Sequence, residues 1–346
     1  MHRLLSGTLA ALFLLAACDG SPTGGDGAGE PEVLTVTLDG SAGWAYADLD
    51  AASPAIAVPN PGASTAWDLA VNATSVMLNG GEAGPGGVVG WCLCQNASAT
   101  NAQVMAFTAD GNLAAFTAAT AAAAPADAAA WRADSLAPAI GGWWTYDPAT
   151  HVVAADPSKV FLVRTAGGTA FAKLRVVALA DAQRAHAGKV TFEYAVQPSA
   201  AAPLGETKRA TVDVSGGRVY FDLAAGAVGT ASAWDLAFEG YGIRVNGGAS
   251  GGGQAGAVAA SEAFDAITDA AAPPATVFKG DSYGGIFKTR PWYRYNLTGS
   301  DHQVWPTFDV YFLKRGATMY KVQLTSYYGP AGETRRITLR YAKIAG

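Results

Sequence analysis

The chain has 346 residues, a formal net charge of −5 and only 15% charged residues, well below the usual quarter or so. The length allows two domains of ordinary size. The acidic balance argues against nucleic acid as a partner, because binding of phosphates needs a basic surface.

The N-terminus has the features of an export signal. An apolar run at residues 9–17 is too short to span a bilayer as a helix. The small residues before Cys18 resemble the lipobox of bacterial lipoproteins, in which the Cys is acylated and becomes the first mature residue. We predict a lipoprotein signal peptide at 1–17 and an acylated Cys18 on a flexible tether, 18–31, rich in Gly and Pro. The alternative is an ordinary signal peptide with a chance Cys.

One segment of the chain occurs twice. Residues 66–81 are AWDLAVNATSVMLNGG and residues 233–248 are AWDLAFEGYGIRVNGG, so Trp67 and Trp234 lie 167 positions apart. A match at one fixed offset over a whole segment indicates a duplicated unit.

The duplication divides the chain into two predicted domains, 32–197 and 207–346, joined by a linker at 198–206. Each contains short runs with alternating apolar residues, many β-branched and aromatic side chains, and Gly or Pro between the runs. These features predict antiparallel all-β domains. Only 119–131 is typical of a helix, and it has no clear counterpart in the second repeat.

The sequence contains no recurring catalytic set. The tract 247–256 fits nucleophile-elbow and dinucleotide-binding patterns, but both need a strand–turn–helix context that is missing here. A loop that needs glycine for close backbone approach explains this tract better. No paired acids or triad recurs in the two repeats, so we predict that the protein is not an enzyme.

Two cysteines lie close together in the first repeat. Cys92 and Cys94 have Ala259 and Ser261 as counterparts in the second repeat. A disulfide, a soft-metal site and two small buried residues are the alternatives, and the pattern favours small buried residues.

A histidine recurs in the same loop of both repeats. His151 follows Tyr146, and His302 follows Tyr295, before the same strand in each case. A neutral imidazole in an exposed loop can ligate iron or another metal. The third histidine of the mature chain, His186, is typical of a turn.

These segments together resemble the HmuY family of exported haem-binding lipoproteins. The resemblance rests on WDLAF…IRVNGGASGGGQAGAV, GGWWTY…VFLVRTAGGTAFAKLRV and GKVTFEYA. It implies two tandem HmuY-like antiparallel β domains that capture haem and pass it to an outer-membrane receptor. It also implies axial ligands of the His or Met type on the haem iron.

The resemblance locates those ligands in two loop regions. The first ligand position is held by Pro148 and approximately by Leu297, with His151 and His302 displaced within the same loop. We therefore take His151 and His302 as the candidate iron ligands, one in each repeat or sharing one haem.

The second ligand region corresponds to 109–131 and 262–290, where neither His nor Met occurs. Met105 just before the first stretch and Tyr283 within the second are the alternative ligand candidates.

The sequence thus predicts a haem-binding, haemophore-like lipoprotein for iron acquisition, anchored by lipid in the cell envelope, at the outer membrane or cell surface. The alternative is a tandem β module for a protein, a glycan or another hydrophobic ligand. The aromatic cluster of the second repeat could contact such a ligand: Trp292, Tyr293, Tyr295 and Trp305.

Overall fold

The computed structural model describes residues 31–344, so the predicted signal peptide and Cys18 lie outside the described residues. The first elements are strands β1 to β6, helices α1 and α2, and strand β7. In order they are Leu34–Asp39, Ala45–Ala47, Ala55–Ile56, Leu69–Asn72, Ser75–Leu78, Val89–Cys92, Asn101–Ala106 (α1), Leu113–Ala118 (α2) and Ser135–Ala137 (β7).

The middle of the chain contains strands β8 to β18. They are Trp144–Asp147, Val152–Ala155, Val160–Arg164, Phe171–Ala180, Lys189–Gln197, Lys208–Asp213, Val219–Asp222, Ala227–Val228, Leu236–Glu239, Gly242–Val245 and Gly256–Ala259.

The last part contains β19, helix α3 and strands β20 to β24. They are Ser282–Gly284, Ile286–Thr289 (α3), Tyr293–Tyr295, Val304–Pro306, Tyr311–Arg315, Thr318–Tyr328 and Thr334–Ile344. The strands named above pair with one another in antiparallel fashion, which confirms the predicted all-β class.

Two five-stranded sheets form the framework, with the strand orders β1-β24-β23-β22-β6 and β13-β12-β11-β10-β18. Two four-stranded sheets, β3-β2-β4-β5 and β15-β14-β16-β17, pack with them. The turns predicted at glycines are confirmed. Gly316, at φ 60°, follows the end of β22, and Arg315 pairs directly with Thr318.

Each five-stranded sheet takes strands from both sequence repeats. The first strand of the chain, β1, pairs with the last, β24, and β6 of the first repeat pairs with β22 of the second. In the same way β18 of the second repeat pairs with β10 of the first. The two repeats have therefore exchanged halves.

The hydrophobic cores follow this exchange. One core joins residues between Val36 and Cys92 to residues between Ile286 and Tyr341. The other lies between Ile140 and Ala257. We call residues 31–134 with 282–344 the outer body, and residues 139–281 the inner body. The boundaries 32–197 and 207–346 remain a prediction about the sequence repeats, whereas the sheets and cores divide at a different place.

The stretch predicted as a linker, 198–206, joins two neighbouring strands of one sheet. Strand β12 ends at Gln197 and pairs with β13 from Tyr194 to Lys189. The connection therefore lies within the inner body.

The chain passes between the bodies at two matched points. Strand β7 pairs with β19, and the central pair is Leu136 with Tyr283. These two residues occupy equivalent places, since each lies two residues after a buried aspartate, Asp134 or Asp281. The two strands of the crossover are therefore related to each other by an approximate twofold axis.

The helix predicted over 119–131 is wrong. Helix α2 ends at Ala118, and two 3₁₀ turns follow, Ala121–Ala123 and Ala128–Ala130. Pro125 lies between them and has no N–H with which to continue a helix.

This region does have a counterpart in the second repeat. The buried ammonium of Lys321 donates to the carbonyls of Thr117 and Ala119, at 2.9 and 3.0 Å. The ammonium of Lys173 donates to the carbonyls of Phe264 and Ile267, at 2.8 and 3.0 Å. Equivalent lysines of the two repeats thus donate hydrogen bonds to equivalent segments, 117–119 and 264–267.

The Gly-rich tract is structural. The side chain of Asn246 donates to the carbonyl of Trp234 and accepts from the amide of Gly253. A Cβ at Gly251 would overlap the Asn246 side chain, so the loop depends on a residue without one. Asn79 makes the equivalent bonds in the first repeat, to Trp67 and Gly86.

No helix within residues 31–344 has the length and hydropathy that crossing a membrane requires.

Candidate functional site

A Tyr–His pair occupies the end of one hairpin in each body. The hydroxyl of Tyr146, on β8, lies 2.6 Å from Nδ1 of His151. The hydroxyl of Tyr295, on β20, lies 3.1 Å from Nδ1 of His302. The ring centroids are 6.2 Å apart in both pairs, with interplanar angles of 41° and 39°. The sequence spacing differs between the pairs, yet the hairpins produce the same geometry.

Both histidines have left-handed backbone conformations, at φ 57° for His151 and φ 50° for His302. This conformation costs an L-residue about 1 kcal/mol, and glycine adopts it freely. A hairpin turn optimised for stability alone would favour Gly or Asn at these positions. Histidine is one of the non-glycine residues that adopt this conformation more readily, and the two hairpins share it at the equivalent position.

The Tyr–His hydrogen bond determines which ring nitrogen faces outward. Because Nδ1 of His151 is engaged by Tyr146, the ring would present Nε2 to a metal. A hydrogen bond at the second nitrogen orients a metal-ligating imidazole and sets its tautomer. His302 has the same arrangement with Tyr295.

A cavity of about 970 Å³ opens beside His151. Its wall includes Trp144 and Tyr241, whose ring centroids are 5.0 Å apart. The indole N–H of Trp144 donates to the carbonyl of Tyr241, which fixes the indole in place. Val152 adds exposed apolar surface, and Arg184 supplies a positive charge. Asp181 lines the cavity as well, so its wall combines aromatic and apolar surface with one positive and one negative side chain.

The two histidines lie on different bodies. Within the described part of the chain, the lining of this cavity comes from inner-body residues between Trp144 and Tyr241. His302 belongs to the outer body. The cavity beside His151 is therefore formed without His302.

Comparison with known families agrees with this architecture. A family model described as HmuY protein matches residues 41–194 and 216–341. The chain belongs to the HmuY family. Both matched regions lie within the predicted sequence repeats, and the resemblance inferred from the sequence is confirmed.

Two solved structures are similar to this HmuY-family chain. A candidate lipoprotein from Bacteroides fragilis is 13% identical, and the match covers 92% of each chain with a TM-score of 0.28. A candidate HmuY-like haem-binding protein from Bacteroides vulgatus is also 13% identical. That match covers 44% of this chain and 91% of the other, with a TM-score of 0.18. No curated protein matches the chain.

The alternative ligand candidates lie elsewhere in this HmuY-family structure. Met105 is half-buried in helix α1. Tyr283 pairs with Leu136 at the crossover and packs against the core around Trp67. Burial raises the pKa of the Tyr283 hydroxyl. Neither residue lines the cavity beside His151, so the geometry brings neither of them to that Tyr–His pair.

Buried aspartates recur in both repeats, and they have structural partners. Asp68 accepts the amide of Leu49 and pairs with Arg315 at 2.9 Å. Its counterpart Asp235 accepts the amides of Ala166 and Leu223. Burial raises the pKa of both carboxyl groups, against the effect of these hydrogen bonds. The structural interpretation of the Trp-Asp pair agrees with these contacts.

Sequence reasoning missed the aspartates at the crossover. Asp134 accepts the amide of Leu78, and Asp281 accepts the amides of Val245 and Ala139. Burial raises the pKa of Asp134 from 3.8 to about 6. These two aspartates lie 147 positions apart, which differs from the repeat offset of 167, so no sequence repeat marks them as a pair.

Cys92 and Cys94 form a disulfide, with Cα atoms 5.1 Å apart. The expectation of two small buried residues is therefore wrong. Cys94 has φ 52°, and this left-handed backbone lets the two side chains meet despite a separation of two positions. Closing so short a loop contributes about 1.5 kcal/mol in the chain-entropy model, against about 4.7 kcal/mol for a loop of about 100 residues.

Proposed function

We propose that this protein is a haem-binding, haemophore-like lipoprotein of the bacterial cell envelope. The observation that carries the proposal is the Tyr–His pair, present in each body, with a large half-apolar cavity beside His151. Membership of the HmuY family supports the ligand class.

The cavity beside His151 has the chemistry that a tetrapyrrole needs. Trp144 and Tyr241 offer ring faces and edges to an apolar macrocycle. Arg184 can pair with a carboxylate of the ligand. His151 would supply Nε2 to the iron, while Tyr146 holds the opposite nitrogen.

The second proposed site lies at His302 in the outer body. Tyr295 is 54% exposed and can contact a ligand directly. The proposed stoichiometry is therefore two haems per chain, one at each Tyr–His pair.

The proposed location follows from the N-terminal sequence. Acylation at Cys18 would hold the protein on a membrane, at the outer membrane or cell surface, since two or more acyl chains anchor stably. There the protein would capture haem for uptake and pass it to an outer-membrane receptor. Nothing in this role requires catalysis.

A second candidate function is binding of a protein, a glycan or another hydrophobic ligand. The observation that favours it is the loss of the family's ligand positions, which hold Pro148 and approximately Leu297. The aromatic cluster of the second repeat supports it only in part. Trp292 is buried in the core, while Tyr295 is exposed.

Haemin titration of the full chain, followed by Soret absorbance in the oxidised and reduced states, tests the proposal. We expect a sharp spectrum that saturates near two equivalents, in line with the two Tyr–His pairs. His151→Ala and His302→Ala should each remove about one equivalent. His186→Ala is the matched control, because His186 makes a turn hydrogen bond to the amide of Gly188 and does not line the cavity.

Two outcomes would contradict the proposal. A broad spectrum without saturation, like that of free haemin, would favour the second candidate function. An unchanged spectrum and affinity in the double His variant would exclude both histidines as ligands.

A further inference from the structure

Among residues 31–344, one cluster of potential metal ligands occurs, and it lies in the outer body. The sulfur atoms of Cys92 and Cys94 and a carboxylate oxygen of Asp309 lie within 4.8 Å of one another. Cys92 ends β6, and Asp309 lies shortly before β22, the strand paired with β6. The exchange of halves therefore brings the first repeat's cysteines to the second repeat's aspartate.

The equivalent place in the inner body lacks this chemistry. Strand β18 pairs with β10 there, but Ala259 and Ser261 replace the cysteines. Phe161 pairs with Ala259 as Tyr311 pairs with Cys92, and at this offset of 150 positions Lys159 replaces Asp309. The fold therefore forms without the cluster at that end, so the cluster is not a requirement of the architecture.

The disulfide is a weak cross-link, because it joins positions that β6 and the following turn already hold together. The amide of Ala97 donates to the carbonyl of Cys94 in that turn. Stabilisation by a disulfide grows with the length of the closed loop, and this loop is very short. The pair of sulfurs therefore suggests a chemical role.

Cys92 is buried and Cys94 is half-buried, but both residues line a cavity. A cavity of about 490 Å³ is lined by both cysteines and by Arg290, and a second one of about 230 Å³ is lined by Cys94, Arg290 and Asp309. A small reductant could enter, and a metal could exchange through the same openings.

We propose that Cys92, Cys94 and Asp309 form a redox-gated site for a thiophilic divalent ion of the zinc class. A phosphine or dithiol reductant breaks the S–S bond by supplying two electrons, and two protons complete two thiols. Zn²⁺ then displaces those protons and is bound by two thiolates and one carboxylate, with solvent from the cavity in the fourth position. A small-molecule disulfide then takes up two electrons from the thiolates and leaves as two thiolates, so that the S–S bond of Cys92 and Cys94 forms again and the ion is released.

The distances are compatible with this site. In a tetrahedral zinc site the ligand atoms lie about 3.7 Å apart, as follows from metal–ligand bonds of about 2.0 to 2.3 Å. The two sulfurs move apart when the S–S bond opens. The carboxylate oxygen of Asp309 lies within 4.8 Å of both sulfurs, so it has to approach them by at most about 1 Å. Asp309 is positioned by the amide of Asn96, which donates to its Oδ1 at 2.9 Å.

The test uses the full chain with Cys18→Ser, so that Cys92 and Cys94 are the remaining cysteines. The protein is reduced with a phosphine, which becomes the phosphine oxide, and is titrated with Zn²⁺ against a chromophoric chelator. Cd²⁺ is used in parallel for its thiolate charge-transfer absorption. We expect one equivalent of metal bound by the reduced protein and none by the oxidised protein.

Two variants make the test specific. Cys92→Ala with Cys94→Ser reproduces the residues of the inner body and should abolish binding. Asp309→Asn should weaken Zn²⁺ binding by about 10- to 100-fold while the thiolates remain.

Circular dichroism in the near-ultraviolet follows the fold of every sample. Loss of the fold on reduction would show that the disulfide is structural and would overturn the proposal. Binding below one equivalent by folded, reduced protein would overturn it too. Equal affinity of the Asp309→Asn variant would remove the carboxylate from the site and so would also contradict it.

Discussion

Asp134 gives the sharpest prediction about stability, because its carboxyl group is buried beside the crossover and accepts a hydrogen bond from the amide of Leu78. Its pKa is raised from 3.8 to about 6, mainly by burial. A raised pKa in an acid means that the folded state favours the protonated form. The folded state therefore loses stability as the pH rises from about 3.8 to about 6.

The magnitude follows from the same two pKa values. Ionisation of Asp134 costs the folded state up to about 3 kcal/mol at about pH 7, and about 1 kcal/mol at about pH 4.5. Asp134→Asn has no charge and keeps an oxygen that can accept the Leu78 amide. We expect the variant to be more stable than the parent by these amounts.

Urea unfolding at both pH values measures the difference. Asp281→Asn is the matched control, since Asp281 accepts two backbone amides, and one of them would lose its acceptor. That variant should gain less stability or lose some. A stability difference for Asp134→Asn that is the same at both pH values would refute the argument, as would a variant less stable than the parent at about pH 7.

Three further predictions concern packing and the proposed site. Lys173→Met should lower the free energy of unfolding by about 2–4 kcal/mol, because two buried carbonyls lose their donor. The control Lys189→Met removes an exposed ion pair and should lower it by less than about 1 kcal/mol, as measured by urea unfolding. Gly251→Ala should destabilise by about 1–3 kcal/mol through overlap with an asparagine side chain, whereas Gly252→Ala, where a Cβ meets nothing within 4 Å, should leave the melting temperature nearly unchanged. Tyr146→Phe should weaken haemin binding by about 10-fold without removing the site, and an unchanged titration would show that the hydroxyl does not support the imidazole.

Local sequence patterns predicted the strands, the glycine turns between them, and the equivalent loops that contain His151 and His302. They could not predict the exchange of halves. Strands β1 and β13 have equivalent patterns, so β24 could pair with either of them without any change in local sequence. In the structure β13 pairs with β12 and β1 pairs with β24, which leaves the chain to pass between the bodies at β7 and β19.

The candidate site was only partly predictable for a similar reason. The sequence placed His151 and His302 in matching loops, but the hydrogen bonds to tyrosine depend on hairpin geometry, which unequal spacings conceal. The disulfide depends on the left-handed backbone of Cys94, for which a CxC spacing gives no signal.

The route of the chain determines where the protein can be cut. A fragment of residues 139–281 would contain the inner core and the His151 cavity. A fragment of 32–197 would instead contain two unmatched half-cores and would expose apolar faces that the other repeat normally covers. Cleavage within 198–206 should leave two pieces that remain clasped through both sheets, so that the nicked protein would behave in solution as a tightly bound heterodimer.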